Sequence, residues 1–255
     1  MTRRSLRRSL SAPVARLFAL TGHELVPLRP SQLSDLDAVD ADTYARVAPF
    51  TMTTFERVAA LCSAVRYVAK HRVPGAIVEC GVWRGGSMMA IAETLLGVGV
   101  QEHDLYLFDT FSGMPPPGDL DIRYTGETAA DILEEPAEHD RVLASASLDE
   151  VRRNVLGVGY EPTRLHFVPG RVEDTIPDQA PPVIALLRLD TDWYESTRHE
   201  LVHLYPRLSP GGVLLIDDYG CWLGARQATD EYIAEHGLRL LLNRIDSTAR
   251  IAVKP

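Results

Sequence analysis

Five short, nearly all-apolar segments recur along the chain: "AIVECG" (76–81), "DLYLFD" (104–109), "RLHFVPG" (164–170), "VIALLRLD" (183–190) and "GVLLID" (212–217). Segments this uniform do not suit a sheet wetted on one face; they read as strands buried on both. Helical spacing lies between them, at 86–97, 148–158, 194–207 and about 223–236, the last closed by Gly237. Strands that alternate with helices predict an α/β fold with right-handed crossovers and a doubly wound, mostly parallel sheet. The closing "LRLLLNRID" and "TARIAVKP" predict an antiparallel C-terminal hairpin. Ligands of such a sheet bind at the carboxyl ends of its strands. Glu79, Asp109, Asp190, Asp217 and Asp218 all fall at such ends, and helix capping does not call for five acids there.

The length of 255 residues, with 45% hydrophobic and 24% charged residues, suits one large α/β domain and not a disordered chain. A net charge of −9 argues against a general nucleic-acid binder, which needs a basic face. Arg3, Arg4, Arg7, Arg8 and Arg16 crowd the start. They read as a solvated terminus or as an arm against another subunit. "TRRSLRRSLSAP" resembles an export signal, but "PVARLFAL" is short, is broken by Arg16 and precedes no small-residue cleavage site, so export is rejected. No apolar run approaches the length of a membrane span. Cys62, Cys80 and Cys221 are odd in number and far apart, which predicts free thiols in a reducing cytoplasm. The histidines lack zinc-ligand spacing; His199 and His203, four apart, predict one partly exposed helix face.

Residues 1–50 are expected to form an N-terminal extension, and 51–255 the main domain. A helix is expected after Thr53 and Glu56, which fit a capping box, with Val58, Leu61, Cys62, Val65 and Val68 on its apolar face. Pro74-Gly75 stops it. Residues 111–146, rich in Pro, Gly and acids and weakly periodic, predict a lid.

The first strand runs into "VECGVWRGGSMM" (78–89). A dinucleotide fingerprint places glycine where this chain has Glu79, and a carboxylate there repels phosphate. An ammonium or sulfonium group suits it better, which points to S-adenosylmethionine. Gly81 lets backbone approach the cofactor, while Gly85, Gly86 and Ser87 open a helix whose amides can hold a carboxylate. Asp109 is placed to accept ribose hydroxyls. Arg84 and Thr110, flanking these positions, are counted with the cofactor residues. "FVPGRVEDTIP" makes Gly170, Arg171 and Val172 candidates for backbone contacts to adenine, although an ordinary strand-to-helix turn reads equally well.

Taken together, "TMTTFERV", "PGAIVECGVWRGGSMM", "LYLFDTFSGMPPP", "RLHFVPGRVEDTIP", "LLRLDTDWYEST" and "LYPRLSPGGVLLIDDYG" resemble the macrocin O-methyltransferase family, in order, from about Thr51 onward. The resemblance implies a class I methyltransferase that depends on S-adenosylmethionine and Mg²⁺ and works as a homo-oligomer on a macrolide deoxysugar. It places the metal on Asp190, Asp217 and Asp218, with Asp190 also the general base and beside the cofactor. It puts Thr51 and Met52 over the cofactor and the substrate lid at 111–146, a segment that does not match the family residue by residue and in which His139 is a candidate auxiliary histidine.

The residues cohere with that chemistry. Three adjacent carboxylates cannot all ionise cheaply without a cation, and an oxygen-only set suits Mg²⁺. A metal lowers the pKa of an acceptor hydroxyl and Asp190 can take its proton. Asp192 reads as a supporting acid or a helix cap. Trp193 and Tyr194 read as packing residues, and Tyr219 and Trp222 as candidates to line the acceptor pocket. The expected acceptor is a glycoside hydroxyl. A catechol-type acceptor, a non-catalytic cofactor-binding subunit and, last, an NAD-dependent oxidoreductase stay open as alternatives.

Overall fold

The computed structural model describes residues 37–134 and 145–255, so the basic terminus and His139 lie outside the described residues. The five apolar segments are strands: β1 Ala76–Cys80, β2 Leu105–Asp109, β3 Leu165–Pro169, β4 Ile184–Leu189 and β5 Leu208–Ile216. Two more, β6 Asn243–Arg244 and β7 Arg250–Val253, form the terminal hairpin. All seven join one sheet in the order β3-β2-β1-β4-β5-β7-β6. The first five are parallel, and β7 runs antiparallel to β5 and β6.

Alternation within the strands divides the core. Ile77, Leu105, Leu107, Leu186 and Leu215 pack on one face against α1 (Ala38–Val47), α2 (Phe55–His71), α3 (Gly86–Gly97) and α5 (Leu148–Leu156). Their neighbours Val78, Phe108, Leu187 and Leu214 face the other side, against Leu201 and Leu204 of α7 (Tyr194–Leu204) and Tyr232 of α8 (Leu223–Glu235). A sheet covered on both faces is what uniformly apolar strands require. Residues 37–255 form one compact unit that includes α1, whose Val47 is fully buried.

Two local expectations shift. The N-cap of α2 is Thr54, which accepts from Arg57 N, so Glu56 is not at the third helical position and the Thr53–Glu56 capping box does not form. Residues 111–146 carry a short helix, α4 (Ala129–Glu134), that the weak periodicity did not predict. This segment is fastened at several points. Asp121, buried, accepts from Gly118 N and Tyr194 N, and Trp193 Nε1 donates to Pro115 O at 2.9 Å. Among the described residues no helix is long and apolar enough to cross a membrane.

The chain steps outward from β1 through β2 to β3, then returns to the other side of β1 as β4. The carboxyl ends of β1 and β4 therefore diverge into a crevice, the usual ligand position in an open α/β sheet.

Candidate active site

A cavity of about 390 Å³ opens in that crevice. Gly81, just past β1, has φ +82°, and a Cβ there would lie 1.9 Å from Asp190 O. The backbone after β1 thus touches the backbone after β4, a contact only glycine permits. Asp109 ends β2 at the cavity wall. Its Oδ2 accepts from Val82 N (2.7 Å) and Trp83 N (3.0 Å), and its Oδ1 from Phe111 N (2.7 Å). Trp83 and Phe111 hold positive φ in these turns. Ser87, in the first turn of α3, lines the cavity, as do Thr110, Gly170, Arg171 and Val172, the last of which opens the short helix α6 (Val172–Thr175). Thr51 and Met52 line it as well.

Several expected residues lie elsewhere. Gly85 and Gly86 do not reach the cavity; they let the start of α3 pack closely, since added Cβ atoms would meet Val155 Cγ2 at 2.8 Å and Phe50 O at 2.5 Å. Arg84 turns away to pair with Glu150 (2.6 Å) and donate to Pro49 O. Tyr219 also faces out: its hydroxyl donates to Asp230 and its ring lies under Arg226 and Arg250. Glu79, expected to face the cofactor, is 1% exposed and absent from the cavity wall. In register it sits opposite Arg188 of β4, whose guanidinium takes its Oε1 at 2.7 Å. Burial raises the Glu79 carboxyl to about 7, with Arg188 opposing the rise.

On the other side of the crevice Asp190 follows β4, and Asp217 and Asp218 follow β5. All three line the cavity, and ligand oxygens of the three lie within 4.8 Å of one another. The sheet sets this geometry, for Asp190 N donates to Cys80 O and Asp217 N to Leu189 O, continuing the strand ladders. Arg188 donates to Asp190 Oδ2 (2.6 Å) and Asp217 Oδ1 (2.7 Å). Arg57 of α2 pairs with Asp217 and with Asp246, and also touches Thr248. Asp192, at φ +63°, also lines the cavity. Its amide donates to Asp218 Oδ2, and its Oδ1 accepts from Trp222 Nε1 at 2.7 Å. Trp222 lines the cavity and packs edge-on to Trp193.

Burial holds the carboxyls of Asp190 and Asp218 well above the usual carboxylate range, and the neighbouring acids add to the effect. Burial likewise pushes Asp192 up to about 6. A cation at their centre reverses that tendency, so a converging set of hard oxygens fits a divalent ion such as Mg²⁺.

Sequence reasoning missed Arg188 and Arg57. Arg188 had a signal: it is a charge inside an apolar central strand, with Glu79 the matching charge in another. Arg57 had none, because its partner Asp217 lies 160 positions away.

The strand order and the crevice between β1 and β4 define a class I methyltransferase fold. The structure of the O-methyltransferase NovP superposes with a TM-score of 0.70 at 33% sequence identity, covering 80% of this chain and 82% of that one. CalS11, a calicheamicin methyltransferase, shares the fold at 21% identity with a TM-score of 0.62, over 94% and 96% of the two chains. The chain belongs to the macrocin-O-methyltransferase (TylF) family, whose pattern it matches over residues 21–253. It is 37% identical over 198 residues to 8-demethyl-8-(2,3-dimethoxy-alpha-L-rhamnosyl)-tetracenomycin-C 4'-O-methyltransferase of Streptomyces olivaceus, spanning 78% of this chain and 73% of that protein. It is 34% identical over 205 residues to mycinamicin III 3''-O-methyltransferase of Micromonospora griseorubida, spanning 80% and 78%. The chain is an O-methyltransferase.

Proposed function

We propose that this enzyme methylates a hydroxyl of a deoxysugar on a natural-product glycoside, with S-adenosylmethionine as donor and Mg²⁺ as its metal. The observation that carries the reading is the convergence of Asp190, Asp217 and Asp218 on one point of the cavity. The relatives' names add the sugar: one bears a rhamnosyl group on its substrate.

S-adenosylmethionine supplies a methyl group on a positive sulfur. The cavity wall between Gly81 and Asp109 suits it, for Gly81 leaves backbone bare and Asp109 Oδ1 keeps a lone pair for a hydroxyl donor after the carboxylate has bound three amides. Ser87, in the first turn of α3, suits the negative end of the donor. Gly170, Arg171 and Val172 offer the adenine side, and Thr51 and Met52 border the same space.

Bound to Asp190, Asp217 and Asp218, a divalent cation supplies a Lewis acid that lowers the pKa of an acceptor hydroxyl. Asp190, whose side chain is 29% exposed, is the base that takes the hydroxyl proton. No acid is needed for the departing sulfur, which leaves as a neutral thioether. Trp222 and the described part of the 111–146 lid bound the acceptor side. We read the enzyme as a cytoplasmic homo-oligomer.

The test is turnover of a panel of 6-deoxysugar glycosides and catechols with S-adenosylmethionine, followed by mass spectrometry. Methylated glycoside is expected, lost on EDTA treatment and restored by Mg²⁺. Preference for the catechol, or indifference to EDTA, overturns the corresponding part of the reading.

A further inference from the structure

Arg188 is 3% exposed and is the penultimate residue of the central strand β4. A buried guanidinium is costly unless every part of it is paired. Here it reaches carboxylates from three strands at once: Glu79 on β1 at 2.7 Å, Asp190 after β4 at 2.6 Å and Asp217 after β5 at 2.7 Å. Glu79 is the inward anchor. It is 1% exposed and in register with Arg188, so it fixes the guanidinium plane from beneath the cavity floor. The other two acids are the pair that faces the cavity.

We infer that Arg188, anchored by Glu79, is the positioning residue of the acidic site: it holds Asp190 Oδ2 and Asp217 Oδ1 inward and thereby turns Asp190 Oδ1, and the Asp217 Oδ2 that Arg57 also touches, toward a metal. This rests on the metal reading of the triad. A planar guanidinium can make parallel bonds in fixed directions, which a lysine ammonium cannot reproduce. Its positive charge alone would weaken cation binding, so the gain must come from geometry. Partners that orient ligands in this way typically change metal affinity by roughly 10- to 100-fold. The arrangement also accounts for Glu79 Oε1, which Arg188 claims from the neighbouring strand, while Oε2 stays buried without a hydrogen-bond partner.

The test titrates Mn²⁺ into purified full-length wild type, R188K, R188M and E79Q, with free Mn²⁺ followed by electron paramagnetic resonance. S-adenosylhomocysteine affinity and melting temperature are measured on the same samples. R188K is expected to keep its S-adenosylhomocysteine affinity within about 2-fold while its Mn²⁺ affinity falls roughly 10- to 100-fold. R188M should also bind Mn²⁺ more weakly than wild type, and E79Q should show a several-fold loss. Wild-type Mn²⁺ affinity in R188K, or tighter binding in R188M, overturns the inference, because the arginine would then be only a competing charge. Should the Arg188 variants fail to fold, E79Q decides, and unchanged Mn²⁺ binding there overturns it. A wild type that binds no Mn²⁺ removes the metal reading itself, and the inference falls with it.

Discussion

Asp109 and Asp190 both end parallel strands at one edge of one sheet, yet they are held by opposite means. Asp109 is gripped by three backbone amides, from Val82, Trp83 and Phe111. Asp190 is gripped by the Arg188 guanidinium and crowded by Asp217 and Asp192. Amides hold a carboxylate without cancelling its charge, which leaves it a good acceptor for neutral hydroxyl donors. Crowded acids behave differently: they resist ionisation until a cation joins them. The same residue type thus does two jobs, set by what surrounds it. On the proposed function, the β1–β2 side serves the donor and the β4–β5 side the metal and the acceptor.

That division can be broken from either side. The largest expected effect is Asp190→Asn, which removes the base and a metal ligand together. Turnover should fall roughly 10³-fold or more, while calorimetry shows S-adenosylhomocysteine binding unchanged. Near-normal turnover would leave the β4–β5 side without its assigned chemistry. Asp109→Ala comes next and should invert the pattern. Loss of the amide acceptor should weaken S-adenosylhomocysteine by roughly 10- to 100-fold, the equivalent of about 1.4–2.8 kcal/mol, with Mn²⁺ binding intact. If Asp109→Ala instead lowers metal affinity and spares the cofactor, the two sides are not separate. The smallest effect belongs to Tyr219→Phe. Its hydroxyl meets Asp230 and Arg226, neither of which lines the cavity, so kcat/KM should stay within about 2-fold and stability within about 0.5 kcal/mol. A large loss of kcat/KM would return Tyr219 to the acceptor pocket.

Much of this was legible in the sequence, for physical reasons. Strands buried on both faces are uniformly apolar, so their number, order and carboxyl ends could be read directly, and with them Asp109, Asp190, Asp217 and Asp218. The family resemblance rested on the same segments. What could not be read was direction. Glu79 lies at the correct strand end, but its side chain turns toward Arg188, a partner 109 positions away. Tyr219 follows the acidic pair immediately, but it emerges on the far side of the turn. Gly85 and Gly86 belong to the glycine-rich turn, yet they serve the contact of α3 with Phe50 and Val155. Spacing gives the register of a strand; it does not say which neighbour will claim a charge. The lid helix α4 was hidden because it is only six residues long, too short for periodicity to show.

Gly81 carries a consequence of another kind. Its backbone rests on the carbonyl of Asp190 with no side chain between. The spacing between the loops after β1 and β4, which the proposed function gives to the donor and the base, is therefore gauged by two main chains, which do not change when side chains are exchanged. Residues 111–134 are held to the enzyme both by side chains such as Asp121 and Trp193 and by a short main-chain bridge from Ile122–Tyr124 to Cys221–Leu223. Side chains that line the cavity can therefore be exchanged while the separation of the Gly81 and Asp190 main chains stays the same.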